Sequence, residues 1–210
     1  MSQSTWNFTI ALAKGKLLPP AIEWLSRVGY TFDEDLSRSR KLRVPACEGG
    51  VTALLVKPDD VPIYVEYGIA DAGVVGYDVL RESGADVFQP RALDFGHCKM
   101  VVAGRPDDDY QRFPFRSLVR VGTKYPNIAR EHFQNSGIQA DIIALRGSVE
   151  LSVTAGLADV IVDIVETGTT LKQNGLVVHE ELFASSARLI VNKASHKLKL
   201  DLIDRLLSVQ

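Results

Sequence analysis

Strands and helices alternate along this chain, and the alternation predicts an α/β fold of two lobes built on parallel sheets. Three observations carry that prediction. Short runs of aliphatic and β-branched residues, such as Phe8–Ala13, Val51–Val56 and Val160–Val165, recur with helical stretches between them. A polar, turn-rich stretch from Gly104 to Pro114 interrupts the series, and the pattern then restarts. The 210 residues suffice for one large domain or two small ones.

The elements follow in order. Phe8–Ala13 reads as a buried strand. Leu17–Val28 has apolar residues at helical spacing, and Pro19 and Pro20 suit a first turn. Val51–Val56 is a second strand. Asp59 is the expected N-cap of a helix through Tyr67, which Gly68 ends. Ala72–Val75 is a short strand and Tyr77–Glu82 a helix. Val87–Leu93 and Lys99–Ala103 are strands. Beyond the polar loop, strands are expected at Leu118–Val121, Ile142–Leu145, Val160–Val165, Leu176–Glu181 and Ala187–Val191. Helices are expected over Asn127–Ser136, Val149–Ala155 and Thr169–Asn174. Lys197–Leu207 reads as one final amphipathic helix. No internal repeat stands out. The expected division places residues 1–93 and 175–210 in one lobe and 94–174 in the other, with a ligand cleft between them.

Composition excludes several functions. An apolar fraction of 46% is that of a folded, water-soluble chain. A net charge of −2 offers no electrostatic basis for general nucleic-acid binding. No apolar run reaches the length of a membrane span. Cys47 and Cys98 lack any CxxC spacing, so neither a zinc site nor a disulfide framework follows, and a reducing cytoplasm is expected. The opening MSQSTWNFTIALAKGK has no basic segment leading into a long apolar core, so no signal peptide is expected.

The chemistry concentrates in VIVDIVETGTTL, Val160–Leu171. A buried strand ends in a small, hydroxyl-rich loop that opens a helix. Free backbone N–H groups at such a point attract phosphate. Thr167, Thr169 and Thr170 add hydroxyl donors, and Gly168 permits close approach or positive φ. Asp163 and Glu166 are acceptors suited to sugar hydroxyls or a hydrated metal. A phosphorylated ribose needs that combination, although TGTT also reads as a plain N-cap and first turn. Lys14-Gly15-Lys16 follows the first strand directly, where α/β folds bind ligands; a solvated lysine pair is the simpler reading. It is neither a P-loop nor a GxGxxG turn. Arg38, Arg40, Lys41 and Arg43 form either a solvated face or a cationic arm for a polyanion. In Glu66–Asp78, Gly73 and Gly76 serve either ligand approach or packing. Ser148 is a credible N-cap before Glu150.

Together these residues resemble the ATP phosphoribosyltransferase family. The carriers are ALAKGK (Ala11–Lys16), SRKL (Ser39–Leu42), GIADAGVVGYD (Gly68–Asp78), GSVEL (Gly147–Leu151), GLADVIVDIVETGTTLKQNGL (Gly156–Leu176) and RLIVNKAS (Arg188–Ser195). The resemblance implies a two-lobed α/β fold like the type II periplasmic binding proteins. It implies a reaction in which N1 of ATP attacks C1′ of 5-phosphoribosyl-1-pyrophosphate (PRPP), releasing Mg-pyrophosphate. Lys16 and Arg40 are the expected catalytic residues at the pyrophosphate. Glu150, Asp163, Thr167, Gly168, Thr169 and Thr170 are expected to bind PRPP. Lys14, Gly15, Asp71 and Gly73 are expected at the nucleotide. Lysine stands at position 16, where the family often has arginine; it keeps the charge and lacks the planar fork. Mg²⁺ is expected with PRPP, and no residue is assigned to it directly. The chain resembles the family's short form. That form implies catalytic homodimers, a separate regulatory subunit similar to histidyl-tRNA synthetase, and a hetero-octamer in the cytoplasm. A non-catalytic solute-binding module and a transferase acting on another base are the competing readings.

Overall fold

The computed structural model describes residues 8–107 and 118–208. Its first unit takes in residues up to Gly96 and returns from Ser186; the second runs from His97 to Ser185. In the first unit the chain forms β1 (Phe8–Ala13), α1 (Leu18–Val28), β2 (Arg43–Pro45), β3 (Val51–Val56), α2 (Val61–Glu66), β4 (Ala72–Gly76), α3 (Tyr77–Ser83) and β5 (Phe88–Ala92). The second unit holds β6 (Cys98–Gly104), β7 (Val119–Thr123), α4 (Pro126–Asn135), β8 (Ala140–Ala144), α5 (Val149–Thr154), β9 (Val160–Val165), α6 (Thr169–Gln173) and β10 (Val177–Ser185). The chain then re-enters the first unit as β11 (Ala187–Val191), α7 (Lys193–Leu198) and α8 (Leu200–Leu207). The polar loop expected after Gly104 lies, from 108 onward, outside the described residues.

β1 is buried throughout, apolar but for Thr9, because both its faces are covered. Phe8, Ile10 and Leu12 join Trp24 and Leu25 of α1 and Ile203 and Leu206 of α8 in one core. Ala11 and Ala13 face the opposite way, against Val61 and Val65 of α2. The second unit repeats this: Val102, Val121 and Val160 pack with Ile128 and Phe133 of α4, while Ala103 and Ile161 pack with Val149 and Val153 of α5.

The strand order is β2-β3-β1-β4-β11-β5 in the first sheet and β10-β6-β9-β7-β8 in the second. The sheets are mixed. β3, β1 and β4 run parallel, as do β8, β7 and β9, but β11 is antiparallel to β4 and β6 to β9. The expectation of wholly parallel sheets is corrected at these strands, each of which enters its sheet without an intervening crossover helix. The sheets also share a topology that no sequence repeat announces. β3-β1-β4-β11 and β8-β7-β9-β6 share order and direction, so one plan is built twice from different sequences.

Four local expectations change. Residues 175–185 lie with the second unit because β10 pairs along β6 over its whole length, from Val177 opposite Gly104 to Ser185 opposite Cys98. Arg43–Pro45 forms an edge strand on β3. Asp59 lies within a 3₁₀ turn, Pro58–Asp60, and does not cap α2. The final helix is two: Lys199, at φ −131°, breaks it, and Asn192 caps α7 by accepting from the N–H groups of Ala194 and Ser195.

Candidate functional site

In each unit the parallel strands deliver their following loops to one carboxyl edge, the face where open α/β sheets bind ligands. In the first unit, Lys14 N–H donates to the Val56 carbonyl at the end of β3 (2.9 Å), which seats Lys14-Gly15-Lys16 on that edge. Gly15 takes φ 101°, a conformation that L side chains rarely adopt, and all three residues are exposed. The basic loop reaches the same edge from β2. Leu55 N–H donates to the Leu42 carbonyl (2.8 Å), so the chain just before β2 lies beside the carboxyl end of β3. Lys41 pairs with Glu34 (2.8 Å), and Ser39 Oγ donates to the same carboxylate (2.8 Å). The hydrogen bond from Lys41, and then that from Ser39, hold the Glu34 carboxyl below its ordinary range. Arg40, exposed, therefore projects from a loop tied on both sides.

In the second unit, β9 outruns β7. Thr123, the last residue of β7, is opposite Val162, so Asp163 to Val165 extend beyond it. Thr123 Oγ1 donates to the Val162 carbonyl (2.6 Å) and accepts from Tyr125 N–H (2.8 Å), which fixes where the two strands part. Asp163 is half-buried, and its carboxylate accepts from Ile164 N–H (2.8 Å). Gly168 takes φ 76° at the N-cap of α6. Thr167 and Thr169 join hydroxyl to hydroxyl at 3.0 Å, and both are exposed, as is Thr170. Glu150 lies half-buried in the first turn of α5, on the loop that follows β8. Six residues expected to meet PRPP thus occupy one edge of one sheet.

Ser148 departs from expectation. It makes no side-chain cap bond and sits at φ 48°, ψ 47°, the single non-glycine residue with positive φ among those described. A left-handed serine costs roughly 1–2 kcal/mol, and such outliers concentrate at ligand-binding loops.

Two expected nucleotide residues are elsewhere. Asp71 precedes β4 and so lies at the opposite, amino edge of the sheet. Only 7% exposed, its carboxylate accepts from Thr9 N–H (2.8 Å), Ser195 Oγ (2.6 Å) and Lys199 Nζ (2.8 Å). It locks β1, β4 and the α7–α8 junction together. Gly73 is mid-strand beneath α2. A Cβ there would stand 2.8 Å from Val61 Cγ1 and 2.9 Å from Val65 Cγ2, so this glycine serves packing. Asp71 and Gly73 thus lie apart from Lys14 and Gly15, in positions that serve the packing of the first unit.

The second unit has the same clasp. Asp159 precedes β9, and its carboxylate accepts from Arg120 N–H (2.9 Å) while its own N–H donates to the Arg120 carbonyl (2.8 Å). Gly156-Leu157-Ala158-Asp159 thus matches Gly68-Ile69-Ala70-Asp71: positive φ at the glycine, exposed Ile69 or Leu157, buried alanine, clasping aspartate. Sequence inspection missed the repeat because only four residues carry it. Among the described residues no group of three or more His, Cys, Asp or Glu is placed to hold a metal ion, and no helix is long and apolar enough to cross a membrane.

Comparison with known proteins fits this geometry. The family model described as ATP phosphoribosyltransferase matches residues 57–209. An ATP phosphoribosyltransferase from Caldanaerobacter subterraneus subsp. tengcongensis is 49% identical over 191 residues, covering 91% of this chain and 90% of that protein. The chain belongs to the ATP phosphoribosyltransferase family. As a member it is an enzyme, a pentosyltransferase of the first step of histidine biosynthesis. A solved ATP phosphoribosyltransferase (HisG:HisZ) complex from Thermotoga maritima contains a chain 33% identical to it, with TM-score 0.81, covering 95% of this chain and 96% of that one. An arginine-bound ArgBP from T. maritima superposes with TM-score 0.54 at 16% identity over 95% and 94% of the two chains. That likeness concerns fold alone: family and receptor share the type II periplasmic-binding-protein architecture.

Proposed function

We propose that this chain condenses ATP, through adenine N1, with PRPP to give phosphoribosyl-ATP and pyrophosphate. The observation that carries the assignment is the second edge, where exposed threonines and a left-handed glycine follow the strand that bears half-buried Asp163. Backbone N–H groups and hydroxyls of Thr167–Thr170 take the 5′-phosphate of PRPP. Asp163 and Glu150 take ribose hydroxyls or waters on Mg²⁺. Lys16 and Arg40 stabilise the charge that develops on the departing pyrophosphate. Lys14 and Gly15 meet the nucleotide. Adenine N1 is largely unprotonated at neutral pH, so the attack needs no general base.

Mg²⁺ belongs here to the substrate. Asp163 and Glu150 offer at most one or two carboxylates, which suits a cation that draws most of its ligands from pyrophosphate oxygens and water. The likeness to a chain of the HisG:HisZ complex supports a separate regulatory partner, as in the family's short form. The finer reading is a catalytic homodimer joined to a separate regulatory subunit in a hetero-octamer, working in the cytoplasm. Histidine then acts through the partner.

An ultraviolet assay of the purified chain with ATP, PRPP and Mg²⁺, pulled forward by pyrophosphatase, tests the reaction. Formation of phosphoribosyl-ATP is expected with ATP and not with adenine, guanine or orotate. Turnover of another base, or neither turnover nor PRPP binding, overturns the reading. Inhibition of the isolated chain by histidine counts against the short form.

A further inference from the structure

One cation on the first unit has no place in the roles above. Arg188 is the polar member of an otherwise apolar strand, Ala-Arg-Leu-Ile-Val, and it pairs with Val75, one residue before the carboxyl end of β4. Its neighbours Ala187, Leu189 and Val191 belong to the core against α1 and α8, while Ile190 belongs to the core against α2 and α3. Strand alternation therefore places Arg188 on the α3 side of the sheet. There its guanidinium carbon lies 4.6 Å from the centroid of the Tyr77 ring, at the start of α3. Its Nε is buried and has no hydrogen-bond partner among the described residues.

The repeat locates this position functionally. Counting from the two clasping aspartates, Asp71 and Asp159, Val75 is the counterpart of Asp163. Arg188 thus stands beside the residue of β4 that corresponds to the PRPP carboxylate of β9, on the edge that carries Lys14 and Lys16.

We propose that Arg188 binds substrate, its guanidinium taking a phosphate oxygen of ATP or of the PRPP pyrophosphate while the Tyr77 ring holds its plane. A guanidinium stacked on an aromatic face is pre-oriented, and its fork matches phosphate. A buried N–H without an acceptor is costly. Arg188 is thus held by its ring contact and not by an acceptor at Nε, unlike the architectural Arg205, which donates from Nε to the Val28 carbonyl at 3.1 Å. The identity of the anion rests on the proposed function; the presence of an anion site does not.

The test compares wild type, Arg188→Gln and Arg188→Lys in the full chain. Calorimetry with inorganic pyrophosphate and with ATP reads binding without turnover, and separate KM values for ATP and PRPP tell the two phosphate sources apart. Arg188→Gln is expected to weaken at least one ligand about 10- to 100-fold with the melting temperature retained. Arg188→Lys, which keeps charge without the fork, is expected to fall between. Weaker pyrophosphate or ATP binding by the variants than by a wild type that binds but turns nothing over upholds the site and fails the proposed reaction. Equal binding by wild type and both variants, or no binding of either ligand by the wild type, overturns it. Should Arg188→Gln fail to fold, Arg188→Lys decides: a melting temperature and affinities like wild type's make the arginine architectural.

Discussion

The two clasping aspartates share a motif and a backbone geometry, yet their surroundings differ. Asp71 is covered by α7 and α8, and its ion pair with Lys199 leaves side-chain exposures of 10% and 18%. Asp159 pairs with Arg120 at 2.6 Å, but those side chains are 26% and 44% exposed. Water and salt screen the second pair and barely reach the first. One backbone solution thus acquires two energetic weights from whatever the rest of the chain lays over it.

The sharpest way to break this comparison is to remove both carboxylates in turn. Asp71→Ala removes the acceptor of Thr9 N–H and of the Ser195 hydroxyl and breaks the ion pair with the half-buried Lys199, and should cost about 3–5 kcal/mol of unfolding free energy in urea. Asp159→Ala should cost a fraction of that. Equal losses would mean that the covering helices contribute nothing to the difference.

The carboxyl edges should respond in the opposite manner, with activity lost and stability kept. Arg40→Ala is expected to lower the single-turnover rate by about 10²- to 10³-fold and PRPP affinity much less. An unchanged rate removes Arg40 from the transition state. Replacing Thr167 and Thr170 together by valine should weaken PRPP binding about 10- to 100-fold in calorimetry, with no change in melting temperature. A fall in stability without loss of affinity would return the loop to a plain helix cap.

The smallest effect concerns acid. The hydrogen bond from the Arg120 side chain, with its backbone N–H and charge assisting against partial burial, holds the Asp159 carboxyl below its ordinary range. A depressed folded value means stability that is present above the unfolded value of about 4 and is lost as pH falls through the folded value. Asp159→Asn should therefore be less stable than wild type at neutral pH, and the gap should close on acidification below about pH 4. A gap that persists at low pH would place the interaction in the backbone bonds alone.

Much of this was legible in sequence. β9 and its threonine loop are readable to the residue because an apolar run stops abruptly at polar, small residues, and β11 for the same reason. The same logic fails at GIADAGVVG. Glycines and an aspartate around a strand do not say which end of the strand faces ligand; that depends on Thr9 and Lys199, 62 and 128 residues away. Ser148 carries a capping residue type but not the capping conformation. Lys199 sits inside a continuous amphipathic pattern, and its tether to Asp71 coincides with the break between α7 and α8. Arg188 had a local signal, a lone cation in an apolar strand, that gains meaning only once its neighbour strand is known.

One consequence follows from how the chain leaves and re-enters the first sheet. Leu93 N–H donates to the Ala187 carbonyl (2.8 Å), and Ala187 N–H donates to the Phe95 carbonyl (2.9 Å). The exit before His97 and the return at Ser186 are therefore hydrogen-bonded neighbours, and everything between them is an insertion spliced into the connection between the paired strands β5 and β11. A gene that joins Gly96 to Ser186 through a short turn would excise the second unit with no strand of the first sheet interrupted. Two half-proteins could then be made and studied apart.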